Sequence, residues 1–98
     1  MDKIKELIKQ YDDIKKSIVD AIKEFVENKG GKITIENDFY INEDDVEIEL
    51  QSLYIENDIL YYNFCYYDDL EEDNAPISTD SFTGDTFREL LKYLDNNF

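Results

Sequence analysis

Carboxylates are the main chemical resource of this chain. Asp68, Asp69, Glu71, Glu72 and Asp73 fall within six positions, and Glu43, Asp44 and Asp45 follow Asn42 directly. Such hard oxygen ligands suit calcium, but neither run has the alternating ligands, central Gly and terminal bidentate Glu of an EF-hand loop. Paired carboxylates can also act as acid and base in hydrolysis. A chain of 98 residues with no Trp and no Gly-rich phosphate loop, however, offers little room for a walled pocket. The absence of His and the single cysteine, Cys65, remove His-based triads, His metal sites, Cys-His pairs and any intrachain disulfide. No cation near Cys65 in sequence would hold a thiolate, so it reads as a small apolar filler. The expectation is a protein that is not an enzyme and takes no metal or cofactor.

The charge layout points to a different use of the acids. Asp and Glu number 25 against ten Lys and Arg, a net charge of -15. Residues 1–31 hold seven Lys and seven acids, so the whole excess belongs to residues 32–98. Between Lys32 and Arg88 there are sixteen acids and no basic residue. Such a field repels phosphate backbones and anionic headgroups, which argues against direct nucleic-acid binding and against a membrane surface. It attracts an electropositive protein and speeds its arrival. A heavily solvated surface serving solubility is the simpler reading of the same charge. In charge and size alone the chain resembles DNA-mimic proteins, some anti-CRISPR inhibitors among them, and immunity proteins that block basic nuclease toxins. That resemblance implies an inhibitor of a basic, nucleic-acid-binding protein.

Tyrosine adds a second feature. In a strand where Leu60, Tyr62, Phe64 and Tyr66 point inward, Ile59, Tyr61, Asn63, Cys65 and Tyr67 point the other way, and Tyr54 of the preceding strand joins them. Tyr covers area at low entropy cost and keeps a polar tip, which suits an interface. Glu47, Glu49 and Glu56 would rim that face. The candidate partner-binding residues are Glu43, Asp44, Asp45, Glu47, Glu49, Tyr54, Tyr61, Tyr67, Asp68, Asp69, Glu71, Glu72 and Asp73. A homodimer through the Tyr face, with the acids serving solubility, is the alternative, and a second helix packed on that face would make it core.

These residues need elements to hold them. Ile4, Leu7, Tyr11, Ile14, Ile18, Ala21 and Phe25 are spaced 3-4-3-4-3-4, one face of a helix ending near Asn28 before Gly30 and Gly31. Ile8 and Ile22 widen that face beyond a coiled-coil seam, which favours a helix packed on its own sheet over an intermolecular coiled coil. Ile33 and Ile35 start a short strand that Phe39, Tyr40 and Ile41 continue after an interruption at Asn37-Asp38. From Val46 to Ile55 the parity changes: Val46, Ile48 and Leu50 share one face, and Leu53 and Ile55 reach it only through a bulge near Gln51-Ser52. A turn at Asn57-Asp58 leads to a strand from Ile59 to Tyr67. Pairing across that turn sets Ile55 against Leu60 and Leu53 against Tyr62, then, past the bulge, Leu50 against Phe64 and Ile48 against Tyr66. Residues 68–81 read as a loop. Phe87, Leu90, Leu91 and Leu94 form a helical face over about Asp85 to Asp95, capped by Thr83 or Ser81.

The expected fold is α+β, a single domain over residues 1–98. It is a two-layer sandwich in the order α-β-β-β-α: a long N-terminal helix, a three-stranded antiparallel meander, with a fourth strand if Ile77 adds one, and a short C-terminal helix. At 1.5 Å per residue the first helix is roughly 40 Å long, enough to cover a hairpin of roughly 33 Å from end to end. No stretch suits a membrane span or a signal peptide, so a cytoplasmic protein is expected. Ile, Lys and Asn are abundant while Ala occurs twice and Arg once, the bias of an AT-rich microbial or phage genome.

Overall fold

A computed structural model describes residues 2–36, 38–43, 45–68 and 71–98. The elements are α1 (Asp2–Asn28), β1 (Lys32–Thr34), β2 (Tyr40–Glu43), β3 (Val46–Glu56), β4 (Ile59–Tyr66), β5 (Glu72–Pro76) and α2 (Gly84–Asn97). The fold is α+β, an antiparallel sheet with both helices on one face. β1 and β2 lie along the same edge of β3, β4 pairs with its other edge, and β5 closes the sheet against β4. The interrupted first strand is thus two short strands on one neighbour.

Local chemistry explains the boundaries. At the end of α1 the Gly30 amide donates to the Glu27 carbonyl at 3.1 Å and the Gly31 amide to the Val26 carbonyl at 2.9 Å. This Schellman arrangement needs a left-handed residue, and Gly30 at φ 96° supplies it. Asn57 and Asp58 turn the hairpin with φ of 51° and 64°, the double left-handed geometry of a type I′ turn. Thr83 caps α2, its side chain accepting from the Thr86 amide at 3.3 Å.

The register of β3 on β4 is the expected one: Ile55 opposite Leu60, Leu53 opposite Tyr62, Leu50 opposite Phe64 and Ile48 opposite Tyr66, with the slip between Leu50 and Ser52. One extra residue restores Leu53 and Ile55 to the face of Leu50. Leu50 and Leu53 are buried against Ile22 and Val26 of α1 and Phe87, Leu90 and Leu94 of α2 in one continuous core. Full burial of each such aliphatic side chain contributes about 1.5–3 kcal/mol. Phe82 extends the core over β4, its ring 5.0 Å from Tyr62 and 5.3 Å from Phe87.

Two expectations are corrected. First, α1 does not cover the hairpin from end to end. It packs on β1, β3 and α2, and only Ile22 and Val26 are buried, with Ile18, Val19 and Phe25 partly so. Ile4, Leu7, Ile8, Tyr11 and Ile14 are 52–58% exposed. Phe82 sits on Tyr62 of β4, and α2 lies toward β2, tied to it through Glu43 and to the preceding segment through Phe39 against Tyr93, so the core needs only the second half of α1 and the first four turns overhang it. Second, the acidic run is not all loop, because Glu72–Pro76 pairs with β4. Ile77 itself follows that strand, buried, its amide donating to the Leu60 carbonyl at 2.8 Å.

Candidate functional site

The candidate site is the outer face of the sheet, opposite both helices. It begins with the parity of β3 and β4. Once Leu53, Ile55, Leu60 and Tyr62 turn inward, Tyr54, Glu56, Ile59 and Tyr61 must turn outward. Tyr54 and Tyr61 are in register and stack, ring centroids 5.3 Å apart and planes at 12°. At the far end Tyr40 of β2 meets Tyr67 edge to face at 6.1 Å. Both of those rings are exposed. Asn63 bridges the middle of the face, its Nδ2 donating to Ser52 Oγ at 2.9 Å.

Carboxylates lie between and around these rings. Glu49 stands opposite Tyr40 on one side and Cys65 on the other, and Cys65 stands opposite Glu72. The Tyr67 amide donates to the Glu47 carbonyl at 3.0 Å, which places Glu47 beside the Tyr40–Tyr67 pair. The phenol of Tyr40 titrates above its ordinary value, chiefly through the negative charge of Asp38, then through burial and through Glu49, Tyr67 and Glu47. Tyr54 is also raised, by burial first and then by Glu56 and Tyr61. Lys32, in register with Tyr54, is the one cation the strands contribute to this face.

The face therefore gathers Glu47, Glu49, Tyr54, Tyr61, Tyr67 and Glu72 from the sequence-based set. Asp68 and Glu71 are exposed beside it, where the chain passes from β4 to β5. Asp73 is exposed on β5 opposite Phe64, on the parity of the helical side. Asp45 is exposed in the β2–β3 turn at φ 61°. Asp44 and Asp69 lie outside the described residues. Glu43 belongs elsewhere: its Oε1 accepts from the Thr83 amide at 2.8 Å and the Thr86 hydroxyl at 2.6 Å. Burial alone would raise the Glu43 carboxyl, but those hydrogen bonds outweigh it and hold it below its ordinary value.

Tyr40 and Asp38 are the residues that sequence reasoning missed. Parity carried the signal for Tyr40, since an inward Ile41 requires an outward Tyr40. Asp38 gave none, because it precedes the strand, within the interruption at Asn37-Asp38.

The face is open, its polar groups are mainly carboxylates and phenols with the Asn63 amide and Lys32 among them, and Cys65 is buried beneath it. Among the described residues, no group of three or more His, Cys, Asp or Glu is placed to hold a metal ion, and no helix is long and apolar enough to cross a membrane. No protein-family model, curated protein or solved structure matches this chain.

Proposed function

We propose that this chain is a non-enzymatic acidic binding module that docks its outer sheet face on an electropositive protein surface. A nucleic-acid-binding protein is the class whose surface such a field fits, and occupation of that surface would make the module an inhibitor. The observation that supports this most is the uncovered face on which Tyr40, Tyr54, Tyr61 and Tyr67 stand among Glu47, Glu49, Glu56 and Glu72. Tyrosines bring buried area at low entropy cost, and the carboxylates bring steering and selectivity. The same carboxylates disfavour a homodimer through this face, because an isologous contact would press two copies of the acidic set, Glu47, Glu49, Glu56 and Glu72, together.

Capture from a lysate of the native host, eluted with a salt gradient, tests the proposal. A captured basic protein that elutes as salt rises and is competed off by duplex DNA supports it. Capture that resists salt and DNA alike, or that survives loss of the face carboxylates, counts against it.

A further inference from the structure

The overhang of α1 leaves an apolar stripe uncovered. Ile4, Leu7, Tyr11 and Ile14 lie on one helical stripe, each more than half exposed, and an apolar patch of roughly several hundred Å2 is what contact sites present. The stripe does not stop at Ile14. It runs into a groove of ≈ 320 Å3 between α1 and α2, lined by Ile14, Ser17, Ile18, Ala21 and Leu91 together with Asp13.

We propose that this stripe pairs two copies of the chain through antiparallel α1 helices, with Ile4 of one copy over Ala21 of the other, Leu7 over Ile18 and Tyr11 over Ile14. The 3-4 spacing forms a seam, and these three layers repeat about a two-fold axis to give six along about 25 Å of helix. The smallest seam residue, Ala21, sits where the groove is open, so the bulkier Ile4 of the other copy has a recess to fill. One flank of the stripe is already occupied. Ile22 is buried against its own sheet, and Lys15 lies over the Tyr11 ring at 4.8 Å and pairs with Asp80 at 3.6 Å. The other flank carries Lys3, Gln10, Ser17 and Glu24, all exposed, and the antiparallel register sets Lys3 near Glu24 of the other copy at both ends.

Charge selects a second copy and this direction. Residues 1–31 are neutral, with seven Lys and seven acids, whereas the excess of fifteen negative charges lies in residues 32–98. α1 is therefore the face where two copies meet with least repulsion. Parallel helices would bring the two acidic bodies side by side. Antiparallel helices offset the two sheets toward opposite ends of the pair, Ile22 of one copy lying roughly 30 Å along the axis from Ile22 of the other. Both outer sheet faces then point away from the pair, free to dock, although the pairing needs no basic partner.

Sedimentation equilibrium on the full chain across low to high micromolar concentration tests it. The expected mass at the upper end is twice 11.7 kDa. Leu7→Glu should weaken pairing by about tenfold or more, because it buries an unpaired charge in the seam, and should leave the melting temperature of the monomer unchanged because Leu7 lies outside the core. Oxidation of Tyr11→Cys and Ile14→Cys variants reports direction. An equal mixture should cross-link to each other, while each variant alone should not. A wild-type chain that stays monomeric throughout, a pair that survives Leu7→Glu, or single variants that cross-link to themselves would each overturn the proposal. A monomeric wild type would assign the stripe to a different protein.

Discussion

Glu43 accepts a hydrogen bond of 2.6 Å from the hydroxyl of Thr86, 43 residues further along the chain. The same Oε1 takes the Thr83 amide. One carboxylate at the end of β2 therefore fixes the first turn of α2, on the side of the sheet away from Tyr40, Tyr54, Tyr61 and Tyr67, and satisfies a donor that the helix cannot.

Replacing Glu43 with Ala should therefore cost about 1–3 kcal/mol, the scale of hydrogen bonds to a charged group. Because the folded carboxyl titrates below its ordinary 4.5, its stabilisation is present above that value and is lost as pH falls through the lower folded one. The gap between wild type and Glu43→Gln in denaturant melts should shrink as pH is lowered from 7 through the carboxylate range. A constant gap at every pH would mean that the negative charge is not what holds the helix.

The overhang separates two isoleucines of similar sequence environment. Ile22 is 1% exposed and Ile14 is 58% exposed. Truncation of Ile22 to Ala should cost about 2–5 kcal/mol, and that of Ile14 no more than about 0.5 kcal/mol in dilute monomer. Phe64→Ala, at the centre of the hairpin, should fall with Ile22. Thermal or urea melts on the three variants decide this, and comparable losses for Ile14 and Ile22 would place the whole of α1 on the core.

Removal of the face carboxylates should act on arrival and removal of the rings on departure. Glu47→Gln, Glu49→Gln and Glu72→Gln together should lower the on-rate for the captured basic protein and flatten its salt dependence, with the fold unchanged. Amide replacement of Asp68, Glu71 and Asp73 should have a smaller effect of the same kind. Tyr61→Ala should raise the off-rate instead. Surface-based kinetics at several ionic strengths separates these outcomes.

The Tyr40 phenol reports the field directly. Asp38 is the main reason it titrates high, so Asp38→Asn should bring it down, and added salt should do the same in the wild type. An NMR titration of the tyrosine ring signals measures both. A phenol indifferent to Asp38 and to salt would remove the electrostatic basis of the docking face.

Short-range rules were enough to determine the hairpin. Parity along Val46 to Ile55, the shift near Gln51-Ser52 and the turn at Asn57-Asp58 are local, and together they leave one register. The end of α1 was legible for the same reason, since a glycine pair acts within one turn, and the cap of α2 was narrowed to Thr83 or Ser81, of which Thr83 serves. The outward set of Tyr54, Tyr61 and Tyr67 followed from that parity. Three features were decided by tertiary structure alone. Periodicity marks the apolar side of α1, but whether a layer lies opposite each residue depends on how far the sheet and α2 extend beneath the helix. Glu72–Pro76 has no alternation to declare a strand, and the free edge of β4 supplies its pairing. Glu43 looked like one acid among many until folding brought Thr83 and Thr86 to it, because a hydrogen bond across 43 residues leaves no pattern in the neighbouring sequence.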